Sequence, residues 1–137
     1  MKTVFKLLVG FAIALSLPAQ VSGEGDWVAL FNGKDLTGWR PYGAEHWVAE
    51  NGTILGESTA GKYGYLVTEK TYRDFVLRLK FRGEPGGNSG VFLRCRITGE
   101  NPQWGPDIEA MQVEVDPAPG NHTGGLYESG EIGRAHV

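Results

Sequence analysis

Glu114 and Asp116 stand two residues apart in Met111-Gln112-Val113-Glu114-Val115-Asp116. The segment alternates with the period of two that marks a half-buried strand, with Met111, Val113 and Val115 on the apolar side and Gln112, Glu114 and Asp116 on the polar side. On such a strand the two acidic Cα atoms lie roughly 6.6 Å apart, at about 3.3 Å per residue. Carboxyl pairs about 5–9.5 Å apart are the equipment of glycoside cleavage, as acid with nucleophile or base. A second segment, Asn88-Ser89-Gly90-Val91-Phe92-Leu93-Arg94-Cys95-Arg96-Ile97, alternates in the same way. Its reading puts Val91, Leu93, Cys95 and Ile97 on one face and Phe92, Arg94 and Arg96 on the other. An arginine presents a planar fork of donors that suits a carboxylate or sugar oxygens. Arg94 is expected beside Glu114 across neighbouring strands, where an ion pair would orient a catalytic acid. The plainer alternative is that both polar faces meet water, as one side of an antiparallel sheet can. Likewise, Asp116-Pro117 can simply end its strand in a turn.

Around this face the sequence offers further groups. Gln112 supplies a neutral donor and acceptor, and Asn88, on the Gly86-Gly87-Asn88-Ser89-Gly90 entry loop, is read with Arg94 and Arg96 as substrate-binding. Trp104 lies in the polar, Pro-flanked Asn101-Pro102-Gln103-Trp104-Gly105-Pro106 loop and is the best-placed aromatic to stack on a sugar ring, whereas Trp39 and Trp47 read as core. His122, in a loop after Pro117 and Pro119, is a candidate general base or metal ligand, although a lone loop histidine is more often solvated. Glu114, Asp116 and His122 would together offer a donor set for a divalent metal; no HExxH, CxxC or second histidine at ligand spacing strengthens it, so metal dependence is left open. Cys95 is the one cysteine. It sits on an apolar face and reads as a small buried hydrophobe, not a nucleophile. No Ser/His/Asp triad, P-loop or dinucleotide fingerprint is present.

The elements that must position these groups are strands. Glycine accounts for 21 of 137 residues and proline for 7. Aromatic and β-branched residues are nevertheless plentiful, which reads as short strands and tight turns, not disorder. Strands are expected at 26–31, 47–50, 53–55, 65–68, 73–82 and from 124. Asn51-Gly52 gives a hairpin signal and Phe75, Leu77, Leu79 and Phe81 face the core. Nothing reads as a helix beyond the N-terminal segment. One all-β sandwich is expected. A net charge of −3 argues against nucleic-acid binding, which wants a basic patch.

Both ends are read separately. Lys2 and Lys6, the apolar run Leu7 to Leu17 and the small residues Val21-Ser22-Gly23 make residues 1–23 an export leader, cut near Glu24. The protein is then expected to be secreted or periplasmic and off the membrane after cleavage. At the other end, Ile132 to Val137 can be encoded ATC-GGA-AGA-GCA-CAC-GTC, a run that looks like a common sequencing adapter. Residues 131–137 are read as a non-native tail, with a partial domain over 24–130.

Five motifs, in order, carry a family resemblance: Phe31-Asn32-Gly33-Lys34-Asp35-Leu36-Thr37-Gly38-Trp39, Trp47-Val48-Ala49-Glu50-Asn51-Gly52-Thr53-Ile54, Tyr72-Arg73-Asp74-Phe75, Asn88-Ser89-Gly90-Val91-Phe92-Leu93-Arg94 and Thr123-Gly124-Gly125-Leu126-Tyr127. From about Trp27 to Tyr127 the chain resembles the 3-keto-disaccharide hydrolase domain family. One departure is that the family's Glu-x-Gln order is reversed here, as Gln112-x-Glu114. The resemblance implies a concanavalin A-like jelly-roll sandwich, incomplete at its C-terminal end, and an exported hydrolase or lyase acting on 3-keto-glycosides. Glu114 would be the leading catalytic group, with Asp116 and His122 next. The alternative is a lectin-like carbohydrate-binding module without catalysis, because the same fold and polar face serve both.

Overall fold

The computed structural model describes residues 4–8, 27–58, 61–84, 86–118, 120, 123–129 and 135–136. They form ten strands and no helix: β1 (Val4–Leu8), β2 (Trp39–Gly43), β3 (His46–Glu50), β4 (Thr53–Glu57), β5 (Gly64–Thr68), β6 (Lys80–Gly83), β7 (Ser89–Asn101), β8 (Gly105–Val115), β9 (Leu126–Ser129) and β10 (Ala135–His136). There are two four-stranded sheets, ordered β3-β4-β1-β6 and β10-β9-β8-β7, and a two-stranded ladder, β2-β5, that packs against β8. Every pairing is antiparallel. The all-β expectation is met, and the antiparallel sheets are those a concanavalin A-like sandwich uses.

Local chemistry explains the turns. Asn51 and Gly52 take φ of 51° and 72° between β3 and β4. Positive φ at both central residues is what a type I′ hairpin turn demands, and Asn-Gly supplies it at least cost. Across this hairpin Trp47 pairs with Gly56. The indole lies over the glycine so closely that a Cβ there would stand 2.5 Å from Cζ3. β4 buries Ile54 at 0% and its neighbour Leu55 at 8% exposure on opposite faces, the heart of the first sheet. Upstream, Asn32 Oδ1 accepts from the Lys34 and Asp35 amides and Asp35 Oδ1 from Thr37 N at 2.9 Å. The Thr37 hydroxyl foremost, then the Asn32 amide and the Thr37 N–H, hold the Asp35 carboxyl down at about 2. The turn delivers Trp39 into β2 with its Nε1 donating to Leu30 O at 2.8 Å.

Three expectations are corrected. Residues 27–31 are not a strand, although Phe31 is buried at 3% exposure. The long strand expected over 73–82 is confined to Lys80–Gly83. Phe75, Leu77 and Phe81 are 48%, 36% and 40% exposed, so they do not form the core face that their alternation suggested. Period two identifies a strand-compatible segment, but only a neighbouring ladder makes one. At the N-terminus, Val4–Leu8, within the segment read as a leader, lies in register between β4 and β6. No helix among the described residues is long and apolar enough to cross a membrane.

The β7–β8 hairpin is the frame of the site. Its strands of 13 and 11 residues run in register from Ser89↔Val115 to Leu93↔Met111, then slip between Leu93 and Arg96 and again between Ile97 and Gly99. The first slip is a β-bulge in which Arg94 and Cys95 together oppose Ala110, and Arg94 is held at φ 55°. A bulge with its first residue left-handed usually employs glycine. An arginine there costs of order 1 kcal/mol.

Candidate functional site

Cross-strand partners share a face, so the register assigns the faces of β7 and β8 directly. Gly90 is opposite Glu114 and Phe92 opposite Gln112, and this is also the face of Ile108 and Ala110. It is the inner face: Ala110 is 7% and Glu114 8% exposed, while Met111 on the other side is 42% exposed. The β2-β5 ladder covers it, with the Tyr65 ring meeting Phe92 edge-on at 5.2 Å and 85°. Glu114 thus faces inward, where the sequence expected Met111, Val113 and Val115 to do so. Of those three, Val115 is buried, at 2% exposure.

Four expected site residues are brought together. Gln112 Nε2 donates to Glu114 Oε2 at 2.9 Å, and Glu114 Oε1 is buried with no hydrogen-bond partner among the described residues. Gly90 makes the room, since a Cβ there would lie 2.5 Å from Gln112 Nε2. The backbone of Glu114 is locked on its far side: its N–H donates to Gly125 O and its carbonyl accepts from Gly124 N, each at 2.8 Å. The Thr123-Gly124-Gly125 motif therefore holds Glu114 in place, with Gly124 at φ 92°. Burial pushes the Glu114 carboxyl above its ordinary value. The Asn88 amide draws it back down, and the like charge of Asp116 adds to the rise.

Asp116 is bound differently. Its Oδ1 accepts from Ala118 N at 3.0 Å and its Oδ2 from Asn88 Nδ2 at 3.3 Å. Its backbone N–H donates to Thr123 Oγ1, which in turn donates to Asp116 O at 2.7 Å. The strand-ending turn is present, and it engages both carboxylate oxygens. Asp116 tunes Glu114 through its charge, while Glu114 keeps the unpartnered oxygen.

The remaining candidates lie elsewhere. The bulge shifts the alternation by one, so Arg96 comes opposite Glu109 and pairs with it on the outer face, away from Glu114. Both side chains are exposed, and such a pair contributes about 0–1 kcal/mol. Arg94 is exposed, and the expected Arg94–Glu114 ion pair does not form. Cys95, expected with Leu93, instead comes close enough to Tyr65 for its charge to act on the phenol. It is half-buried, and burial raises its thiol. His122 lies outside the described residues. Among the described residues no group of three His, Cys, Asp or Glu side chains is placed to hold a metal ion.

Trp104 occupies the end of the hairpin. Its Nε1 donates to Asp107 Oδ1 at 2.8 Å and its carbonyl accepts from Tyr63 N at 2.6 Å. With Tyr63, Tyr65, Pro106, Asp107 and Ile108 it lines an open cleft of about 400 Å³. Burial, with smaller contributions from Tyr63, Cys95, Glu45 and Asp107, pushes the Tyr65 phenol up to about 12, so it remains a donor.

Glu45 was not among the expected site residues. It sits between β2 and β3 against Gly64, where a Cβ on the glycine would come 2.7 Å from Glu45 Cβ. Burial lifts its carboxyl from 4.5 to about 7, opposed by the Gly64 N–H. No motif marks it; an acid hemmed between two aromatic-rich strands was its one signal. Between pH 4.5 and 7 the unfolded chain has released a proton that the folded chain retains, so stability falls as pH rises through that window. Glu45→Gln is expected to melt with wild type at pH 4 and roughly 4 °C above it at pH 8, equivalent to about 1 kcal/mol, kept small by partial exposure. Thermal melts across this range check it, and parallel pH curves for the two proteins would contradict it.

Residues 26–136 match the 3-keto-alpha-glucoside-1,2-lyase-like domain. A protein of Bacteroides thetaiotaomicron described as a 3-keto-disaccharide hydrolase is 30% identical over 113 residues, which cover 74% of this chain and 38% of that relative. The chain thus spans under two fifths of the length of the curated relative it matches. No solved structure matches it. With the match running through every strand from β2 to β10, the chain belongs to the 3-keto-alpha-glucoside-1,2-lyase-like domain family.

Proposed function

We propose that this protein cleaves 3-keto-glycosides, disaccharides among them, by proton abstraction and elimination with Glu114 as the base. The observation that carries this reading is the buried Glu114 carboxylate, with one oxygen held by Gln112 and the other with no hydrogen-bond partner among the described residues. A pair of free carboxylates, as two-carboxylate glycoside cleavage uses, is not what the geometry offers, because both oxygens of Asp116 are engaged. One well-placed base suffices if the substrate acidifies its own proton, and a ketone at C3 does that for the proton on C2. Glu114 takes the C2 proton. The C–H electron pair forms the C1–C2 double bond, the glycosidic C1–O bond breaks, and the departing oxygen takes up a proton. Water adding later across that double bond completes a net hydrolysis, the activity in the relative's name. A raised carboxyl pKa brings the base closer in strength to the acid it must deprotonate.

The leader reading of residues 1–23 supports action outside the cytoplasm, which sequencing the N-terminus of the exported protein tests. For the reaction, the gene product is incubated with a 3-keto-disaccharide and its unoxidised parent. Release of free sugar from the keto compound alone is the expected result. Cleavage of neither, with both still bound, would instead establish the lectin-like module, a reading favoured by the aromatic cleft at Trp104.

A further inference from the structure

The cleft at the end of the β7–β8 hairpin lies apart from Glu114 and holds groups that the reaction there does not use. Its walls include the aromatic side chains of Tyr63, Tyr65 and Trp104 and the carboxylates of Asp107 and Glu109. No lysine, arginine or histidine stands among its described lining residues. Glu109 is matched by Arg96. Asp107 makes no ion pair among the described residues; its Oδ1 accepts from Trp104 Nε1, a neutral donor that leaves the charge unbalanced. Elsewhere on the protein two aromatic faces carry a guanidinium of the chain, Trp27 with Arg78 at 4.1 Å from the ring centre and Tyr42 with Arg40 at 5.2 Å. Among the described residues no such cation lies over Tyr63, Tyr65 or Trp104.

These rings are held in place by the fold. Trp104 is fixed through Nε1 to Asp107 and through its carbonyl, which accepts from Tyr63 N, yet it is 41% exposed. Tyr63 is 61% exposed beside it. The Tyr63 carbonyl is seated between two glycines at positive φ: a Cβ on Gly43 would stand 2.5 Å from its oxygen, and one on Gly105 2.8 Å. Tyr65 rests edge-on against Phe92. Side chains ordered beforehand lose little entropy when a ligand arrives. The field among them is negative. Burial foremost raises the Tyr65 phenol, and Tyr63, Cys95, Glu45 and Asp107 raise it further, each opposing another negative charge nearby. The same field favours a positive charge, and aromatic faces add to it through their quadrupole, tryptophan most strongly. A small inorganic ion wants several oxygen ligands, and no group of three such side chains is gathered among the described residues. An alkylated ammonium needs none: its methyl groups pack on the rings while one carboxylate balances its charge. The volume, about 400 Å³, is that of a small-molecule site.

We infer that the Tyr63–Tyr65–Trp104 cleft, with Asp107 as counter-ion, is a binding site for a quaternary ammonium group. It is independent of the reaction proposed at Glu114, and neither depends on the other.

The test uses choline and 3,3-dimethylbutan-1-ol, which share a shape and differ in having nitrogen or carbon at the branch point, so that their ratio isolates the charge. Both, with methyl α-glucoside, are titrated by calorimetry at constant ionic strength into the wild-type chain, Trp104→Ala, Trp104→Phe and Asp107→Asn, with circular dichroism confirming each fold. Wild type is expected to bind choline about tenfold more tightly than the alcohol, the scale of a partly desolvated cation–aromatic contact. Asp107→Asn keeps an acceptor for the indole N–H and removes only the charge, and it should lose most of that preference. Trp104→Ala should lose it too, and Trp104→Phe, which retains a ring, should keep part of it. No binding of choline, equal affinities for choline and the alcohol in wild type, or an undiminished preference in Asp107→Asn would overturn the site. Tighter binding of methyl α-glucoside than of choline would also overturn it, and would give the cleft to a sugar.

Discussion

Replacing Glu114 with glutamine is expected to cut turnover of a 3-keto-disaccharide by about 10²-fold or more, the usual contribution of a positioned acid or base. The substitution keeps the shape of the side chain and removes its ability to accept the C2 proton. Folding should survive it, because the buried charge that burial disfavours is also removed. The expected signature is therefore a collapse of kcat with a melting temperature equal to or above that of wild type. KM should change little, since Gln112 and Asn88 are untouched. Ordinary turnover in Glu114→Gln would move the base elsewhere, and Asp116 would be the next group to examine.

The second large effect belongs to the fold. Ile54 is fully buried at the centre of β4, with Ala49 as its partner in the ladder to β3. Ile54→Ala removes three carbons from a site whose neighbours are held by backbone hydrogen bonds and can relax only in part. A cost of about 2–5 kcal/mol is expected, and Ile54→Val should cost about 0.5–1.5 kcal/mol. In a domain of this size the alanine change lowers Tm by roughly 10 °C or more. Denaturant melts of the three proteins form a graded series. Equal midpoints for Ile54→Ala and wild type would show that β4 is not the heart of the first sheet.

Particular residues show what the amino-acid sequence reveals and what it conceals. Asn51-Gly52 declares the β3–β4 hairpin because its turn geometry is a local property of two residues. The shared face of Gln112 and Glu114 follows from period two on an uninterrupted strand. The same argument fails on β7, since the bulge at Arg94 inserts one residue, and the side chains from there to the second slip after Ile97 change face. Nothing local announces it: the left-handed residue is an arginine where a glycine would have been a signal. Phe75 to Leu79 has the pattern of a core strand without the neighbour that would make it one, a matter of topology and not of propensity. The engagement of Asp116 was half legible, in that Asp-Pro suggested the turn. Its bond to Asn88, 28 residues earlier, depends on how β7 meets β8. Glu45 owes its raised carboxyl to burial against Gly64, a long-range packing event with no motif behind it.

The central claim is that Glu114 is the base and that Asn88 and Asp116 set its proton affinity from opposite directions. The measurement that tests it most directly is the pH dependence of kcat/KM for a 3-keto-disaccharide in wild type, Asn88→Ala and Asp116→Asn. The wild-type rate should rise with pH through a midpoint above the ordinary carboxylate range, as the base loses its proton. Asn88→Ala removes the amide that favours the carboxylate, so the midpoint should move to higher pH. Asp116→Asn can still accept from Ala118 N but lacks the like charge, so the midpoint should move to lower pH. Shifts in opposite directions are the predicted result; a rising limb that stays in place in both variants, or that moves the same way in both, would contradict the account.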